Sequence, residues 1–388
     1  MDKFVEKSDR RFFLVVAAIG RVGCFEIWKH PGGLETEGGS MRSVAGVAVI
    51  GFVSVVAAGA LLSAQGPSAQ GGGPPAWAYG IAPGTPMPGA NPAGGRGAGA
   101  GRGGAPAAPP DVTPQHVPGS TLTFTLAQIR DGFGPADWFP GDHPAMPDVV
   151  AHGRMPDVRA CALCHYPNGK GRPENAAVVG FSAGYITQQL VDFKNDLRKS
   201  ADPRKNNTNI MATIAKGMTD AEIKAASDYF ASIKMTTWVK VVESATAPKT
   251  RLAGGLYSAV EGNETEPIGN RIVEVPENSE RTETLRDPRS SFIAYVPVGS
   301  VKKGENIVTT GGAGKTTQCG VCHGADLKGL GPVPGIAGRS PSYLFRMMYD
   351  MQAGTRKGAW SDLMKPVVAK LTEDDMLVIS AYAASLAP

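Results

Sequence analysis

The sequence predicts an all-α protein built from two small helical domains in tandem. The five-residue pattern C-x-x-C-H occurs twice, and its second occurrence begins at Cys319, 158 residues after Cys161. The residues that follow each pattern are themselves repeated, and each copy ends in a segment with a polar helix cap and apolar residues at helical spacing. Two copies of one helical unit explain these three observations together.

The N-terminal residues 1–64 are predicted to be a leader. Residues 44–62 carry no charge and follow Met41 and Arg42, as in a secretory signal peptide. The same run reaches the lower length of a membrane-spanning helix, so a signal peptide and an uncleaved membrane anchor both remain open. We also expect the true start of the protein at Met41, because residues 1–40 resemble neither a signal nor a domain.

Residues 65–120 are dominated by Gly, Pro and Ala. This composition offers too little apolar surface to offset the entropy of ordering the chain. The sequence therefore predicts a disordered tether over this whole segment.

The two helical domains are expected at 121–238, which includes an N-terminal extension, and at 301–388. Raising residue numbers by 153 places Met211 on Met364 and Thr219 on Thr372. Thr219 begins a capping box, and Thr372 begins a looser acidic version of it. Each copy therefore ends in a helix that follows its methionine.

The connector between the copies, 239–300, consists of β-branched runs broken by Pro and Gly. Such runs favour an extended chain with short strands. At about 60 residues the connector is too long for a simple hinge. We expect it to pack along the two domains.

Four of the five cysteines lie in the two C-x-x-C-H patterns, which are typical of covalent haem attachment. Cysteines three residues apart lie on one face of a helical turn, so both can bond one porphyrin. The predicted attachment residues are Cys161, Cys164, Cys319 and Cys322. The adjacent His165 and His323 are the predicted proximal ligands of two haem irons.

Met211 and Met364 are the predicted sixth ligands. A sulfur ligand raises the reduction potential and leaves the iron closed to substrates. Methionine is also a common gap filler in cores, which is the alternative for both residues. The ligand interpretation is favoured because the repeat places no other pair of methionines equivalently.

The order of these residues resembles that of class I cytochromes c in tandem dihaem form. In the first copy the resemblance also rests on Gly169, Gly171, Tyr185 and Tyr229, and in the second on Pro334, Tyr343 and Tyr382. It implies small helical folds with one exposed haem edge, serving outer-sphere electron transfer. It also implies that the carbonyl of Pro334 holds the haem histidine, whereas the first copy has Ala176 near that place.

The resulting prediction is a dihaem c-type cytochrome that is not an enzyme and carries electrons in the periplasm, with possible attachment to the inner membrane through 44–62. The expected partners are redox proteins: a periplasmic dehydrogenase, a quinol-linked complex or a terminal oxidase. A cytochrome subunit of a periplasmic dehydrogenase is the alternative, and a dihaem peroxidase a more distant one. The balance of 39 basic and 35 acidic residues, without a basic stripe, excludes a nucleic-acid partner.

Overall fold

The computed structural model of the protein describes residues 73–88 and 112–388. The predicted leader at 1–64, with its apolar run at 44–62, lies outside the described residues. Of the helices in the two described ranges, none combines the length and apolarity that a bilayer crossing requires.

Within the described ranges, the strands are preceded by seven helices: α1 (Ala76–Tyr79), α2 (Leu126–Ile129), α3 (Asp148–Ala151), α4 (Cys161–His165), α5 (Ala183–Lys194), α6 (Asn206–Gly217) and α7 (Asp220–Ser232). Helix α5 begins after Ser182, whose hydroxyl accepts a hydrogen bond from the backbone of Tyr185. Helix α7 begins with the predicted capping box of Thr219 and Glu222. Their apolar faces pack against α3 and α4 around the buried side chain of Phe230.

Met211 lies within helix α6 rather than in an irregular segment that crosses the domain. Met364 likewise lies within a helix of the second copy, α11, defined below. A helix fixes the direction of each methionine side chain more firmly than a loop would.

The connector forms seven strands: β1 (Val239–Glu243), β2 (Thr246–Pro248), β3 (Thr250–Ala253), β4 (Leu256–Ala259), β5 (Thr265–Pro267), β6 (Val273–Pro276) and β7 (Phe292–Val296). Strand β7 is central in a three-stranded sheet, parallel to β1 and antiparallel to β6. Its alternate residues Phe292, Ala294 and Val296 are buried, as expected for a strand that faces a core. A π-helical turn, Glu280–Thr284, lies between β6 and β7.

The all-α prediction is therefore wrong. The helical copies are joined by a β region in which strands far apart in sequence pair with one another, such as β1 with β7. Short β-branched runs are compatible with an extended chain or with a sheet, and only the pairing of distant segments decides between them.

The second copy contains α8 (Ser300–Thr310), α9 (Gly320–His323), β8 (Gly329–Leu330), β9 (Val333–Pro334), α10 (Pro341–Gln352), α11 (Ala359–Val368) and α12 (Glu373–Ser385). The core of this copy includes the fully buried Phe345, Met376 and Leu377. Helices α8 and α12 cross closely at Gly304, where a side chain would approach Tyr382 Cβ to 2.8 Å. Thr372 caps α12 through Asp375, so the acidic cap predicted from the sequence is present.

The predicted disordered tether is wrong for residues 73–88. Helix α1 lies in this segment and packs on α10, with the rings of Trp77 and Phe345 4.7 Å apart. Ala78 and Tyr79 are buried in the second core. A few aromatic residues within the Gly- and Pro-rich segment provide enough apolar contact to order it locally.

The N-terminal extension of the first copy packs on the connector. Trp138 is fully buried, and its indole nitrogen donates a 2.7 Å hydrogen bond to the carbonyl of Leu285. Arg289 of the connector lies over the ring of Phe139 and pairs with Asp142 at 2.7 Å. These contacts hold the connector against the N-terminal extension of the first copy.

Candidate haem-binding clefts

The first cleft brings together the four residues predicted from the first copy. Cys161, Cys164, His165 and Met211 all line it, and its open volume is about 1380 Å³. Most of the remaining wall is apolar, with contributions from helices α5, α6 and α7. This is a cleft of ligand-binding type, with a few polar groups set in an apolar wall.

The second cleft repeats this arrangement. Cys319, Cys322, His323 and Met364 line it, and its open volume is about 1350 Å³. The two clefts are nearly equal in size and contain the same four residue types.

Each cleft histidine is oriented by a backbone carbonyl. The distance from Nδ1 to the oxygen is 2.8 Å both for His165 with Ala176 and for His323 with Pro334. A carbonyl only accepts, so Nδ1 carries the proton and Nε2 of the neutral ring keeps its lone pair. Burial lowers the pKa of both histidines and so favours this neutral form. Ala176 therefore provides the same contact as Pro334, because the contact uses only the main chain.

The thiols of Cys161 and Cys319 are not of the activated kind found in redox enzymes. Burial raises the pKa of Cys161 to about 12 and that of Cys319 to about 11. Catalytic cysteines instead have lowered pKa values in electropositive surroundings. These cysteines suit attachment of a group rather than catalysis by a thiolate.

A single wall separates the two clefts. Five side chains line both of them: Phe181, Tyr185, Gln189, Tyr343 and Met347. The clefts therefore adjoin one another across one layer of side chains.

The wall has approximate two-fold symmetry. Arg356 donates to the hydroxyl of Tyr185 at 2.9 Å, and Arg198 donates to the hydroxyl of Tyr343 at 3.5 Å. Arg198 and Arg356 also pair through their backbones in an isolated antiparallel bridge. The two arginines are 158 residues apart, as are the two tyrosines, so the internal repeat forms an interface with itself in the manner of a symmetric dimer.

The residues of both clefts fit haem c. Each cleft offers two thiols, an imidazole held with its second nitrogen free and a thioether, which are the attachment and ligand types that haem c uses. Arg356 lines the second cleft, and its buried Nε has no hydrogen-bond partner among the described residues. The first cleft has buried cations of its own, Lys205 and Arg346, and burial lowers the pKa of Lys205 to about 7. These cations match the carboxylates of a haem.

Sequence analysis did not identify the buried side chains whose hydrogen bonds join the two copies beside the first cleft. Asp350 accepts hydrogen bonds from the hydroxyl of Tyr79 at 2.7 Å and from the backbone of Ala201 at 2.8 Å. Arg346 donates to the carbonyls of Ala78 and Pro173, so it joins α1 and both copies. No local pattern marks these residues, because their partners lie up to 271 positions away. The repeat aligns Tyr185 with Tyr343, but that alignment does not show that the two side chains meet in one wall.

Comparison with known proteins finds a family match over the first copy. The family model described as "Cytochrome c" matches residues 157–234. The thiosulfate dehydrogenase electron acceptor of Stutzerimonas stutzeri (strain A1501) is 24% identical over 237 residues, which are 60% of this chain and 82% of that protein. Cytochrome c-554(548) of Halomonas halodenitrificans is 37% identical over 75 residues, 19% of this chain and 90% of that protein. The crystal structure of reduced cytochrome c4 from Pseudomonas stutzeri aligns with a TM-score of 0.39 and 20% identity, over 58% of this chain and 93% of that one.

Proposed function

The chain belongs to the cytochrome c family, whose members transfer electrons through covalently bound haem c, and we propose that it carries two haems and passes electrons between them. The observation that carries this proposal is the pair of equivalent clefts separated by one shared wall. Cys161 and Cys164 attach one haem, and Cys319 and Cys322 attach the other. The two domains are those of residues 121–238 and 301–388.

Each iron has a His and a Met ligand in this proposal. His165 pairs with Met211 and His323 with Met364, because each pair lines one cleft. The backbone hydrogen bond at Nδ1 orients each ring and increases its basicity as a ligand. Two closed irons favour outer-sphere electron transfer and disfavour the dihaem peroxidase, which needs an open iron. The chain is then an electron carrier rather than an enzyme.

The wall provides the internal route. Tyr185 and Tyr343 each line both clefts, so the groups held in the two clefts are separated by the thickness of one side-chain layer. Buried Arg198 and Arg356 hold these tyrosines in place. A fixed wall keeps the separation of the two clefts constant, and the rate of internal transfer depends on that separation.

The proposed partner is a dehydrogenase that delivers electrons to this chain. The Stutzerimonas relative is named as the electron acceptor of thiosulfate dehydrogenase, which supports this class of donor. We place the protein in the periplasm, where haem attachment to C-x-x-C-H takes place, exported or anchored by residues 44–62. A quinol-linked complex or a terminal oxidase is the proposed partner at the other end of the transfer.

The test combines haem content with carbon monoxide binding to the reduced protein. We expect two haems per chain and no carbon monoxide binding by the unmodified protein. Met211→Leu and Met364→Leu should each open one iron, so that half of the haem binds carbon monoxide.

Met218→Leu is the matched control. Met218 also lines the first cleft, and the second copy has Leu371 at the corresponding position. This variant should bind no carbon monoxide. Ready binding by the unmodified protein, or turnover of hydrogen peroxide, would refute the electron-carrier proposal, and unaltered spectra in both ligand variants would refute the ligand assignment.

A further inference from the structure

The two copies differ sharply in the exposure of the segment that carries the cysteines. Leu163 lies between the cysteines of the first copy and is 9% exposed, whereas Val321 at the equivalent position of the second copy is 64% exposed. The residues after the pattern differ in the same way, since Tyr166 and Pro167 are buried while the equivalent Gly324 is partly exposed and Ala325 is exposed. A repeated unit should bury equivalent residues equally unless something covers only one copy.

The cover on the first copy is the connector of this same chain. Arg286 donates to the carbonyl of Leu163, and its guanidinium lies 5.7 Å from the ring centre of Tyr166. Asn168 donates a 2.9 Å hydrogen bond to the carbonyl of Pro288. The segment from the π-helical turn to β7 thus lies directly on the cysteine segment of the first copy.

Tyr166 is the residue specialised for this cover. It has φ of 61°, a conformation that L-residues rarely adopt, and its hydroxyl contacts the carbonyl of Thr282 at 3.4 Å. The equivalent residue of the second copy is Gly324, with φ of 83°. Glycine adopts this backbone conformation freely, whereas a tyrosine there costs free energy. The contacts with the connector offset that cost in the first copy, and residues 73–88 and 112–388 provide no counterpart at Gly324.

The uncovered surface of the second copy is apolar. Val321, Leu330, Trp360 and Leu363 are exposed at 64%, 62%, 40% and 63%, and the last two also line the second cleft. We call these four residues the second-copy face. Val321 directly precedes Cys322, another residue that lines this cleft, and exposed apolar residues beside a cleft are typical of interaction sites.

The segments that carry this face are basic. Residues 315–333 and 357–370 contain five lysines and two aspartates, all of them exposed: Lys315, Lys328, Lys357, Lys365, Lys370, Asp326 and Asp362. Lys315 pairs with Asp375 at 2.9 Å and Lys365 pairs with Asp362 at 2.7 Å, whereas Lys357 and Lys370 form no ion pair within the described part of the chain. A partner that complements this surface has an apolar contact area surrounded by carboxylates.

We propose that the second-copy face is the docking site of an acidic redox protein, and that the equivalent surface of the first copy is closed to such partners by the connector. This inference rests on the proposed function, since it assigns the exchange of electrons with a partner protein to the second cleft. A face with only four exposed apolar side chains suits a weak, transient encounter, which is usual for electron-transfer proteins. The first cleft then receives its electron through the shared wall.

The test uses reduced flavodoxin, a small acidic FMN protein, as the probe. Val321→Asp in the haem-loaded chain should slow reduction by flavodoxin about tenfold, because it places a charge of the wrong sign within an apolar contact. Val321→Lys should leave the rate unchanged or raise it. The rate with the unmodified chain should fall as ionic strength rises.

Val298→Asp is the matched control. Val298 is 67% exposed and lies in the turn before α8, whose first residue is about 12 Å along the helix from Val308, which contacts Cys319. This variant should react at the unmodified rate. Equal slowing by Val298→Asp, or no slowing by Val321→Asp, would overturn the docking site.

Carbodiimide cross-linking to flavodoxin provides a readout that is independent of electron transfer. The reagent joins lysines to carboxylates, so cross-links should map to the five lysines of 315–333 and 357–370. Cross-links concentrated on Lys170 of the first copy would overturn the inference. If both haems are present and the irons are closed while these outcomes fail, the docking site is wrong and the electron-carrier function stands.

Discussion

The guanidinium of Arg356 donates a 2.9 Å hydrogen bond to the phenolic oxygen of Tyr185, so a residue of the second copy holds a side chain of the first. Arg356 also contacts Gln189 Oε1 at 2.9 Å, and both contacts are buried. The symmetry-related contact of Arg198 with Tyr343 is longer, at 3.5 Å. The two Arg–Tyr contacts of the wall therefore use the same residue types but differ in length.

Tyr185→Phe should destabilise the protein more than Tyr343→Phe does. The first change removes a partner of a buried charge, which costs about 1.5–3 kcal/mol. The second removes a contact at the limit of hydrogen bonding, with an expected loss below about 1 kcal/mol. Chemical denaturation of the two variants side by side measures the difference. A larger loss in Tyr343→Phe would contradict this account of the wall.

Tyr79→Phe tests whether α1 is anchored by its buried contact with Asp350. The hydroxyl donates at 2.7 Å, and its removal leaves the carboxylate with fewer donors, so we expect a loss of about 1–3 kcal/mol in the free energy of unfolding. Tyr349→Phe is the control. Tyr349 lies on α10 and is buried, as Tyr79 is, but its hydroxyl has no hydrogen-bond partner among residues 73–88 and 112–388. Equal losses in the two variants would show that the Tyr79 hydroxyl adds nothing.

Gly304→Ala should separate α8 from α12. The added Cβ would meet the carbonyl oxygen of Val378 and approach Tyr382 Cβ to 2.8 Å, which one of the helices must relieve by moving. Overpacking of this kind costs about 1–3 kcal/mol. Gly184→Ala in α5, where no atom lies within 4 Å of the new Cβ, should be neutral or stabilising by up to about 1 kcal/mol. Thermal unfolding monitored by circular dichroism distinguishes the two.

The capping box of α7 should contribute a stability that depends on pH. Arg154 hydrogen-bonds Glu222 at 2.8 Å and lowers the pKa of this carboxyl to about 2. A lowered carboxyl pKa means that the contribution is complete above the unfolded value of about 4.3 and disappears as pH falls towards about 2. Glu222→Gln keeps the capping geometry but removes the charge, so it should lower stability at pH 7 by about 0.2–1 kcal/mol and have no effect near pH 2.

Unfolding curves of Glu222→Gln at pH 7, 4 and 2 measure this dependence. Glu264→Gln is the control, since it removes an exposed carboxylate that is paired with Lys249 outside any helix cap. A loss in Glu222→Gln that stayed constant from pH 7 to pH 2 would rule out the charge as its cause.

Much of the candidate site could be predicted from local sequence. The spacing of Cys161 and His165 specifies one helical turn, and the repeat locates the second set of residues without any structure. The caps at Thr219 and Thr372 were also predictable, because a capping box is a contact across three residues. The ligand roles of Met211 and Met364 stay predictions, supported by their positions in the two clefts.

The sheet of the connector and the order in 73–88 were not predictable in this way. Val239 pairs with Phe292 across 53 positions, and Tyr79 bonds to Asp350 across 271. Neither contact leaves a periodic pattern in the segments that form it. The average composition of 65–120 also gave no indication of three apolar residues, Trp77, Tyr79 and Ile81, whose packing orders part of this segment.

By itself the sequence determined the residue types and spacings of two equivalent candidate haem-binding clefts, because these depend on neighbours within one or two turns of helix. Only the tertiary structure decided that the clefts share a wall, and that the connector covers Leu163 while Val321 stays exposed. Coverage depends on where a distant segment packs, and burial of apolar surface selects that packing across the whole chain. Two copies alike in sequence therefore become unequal in the surface that each offers to a partner.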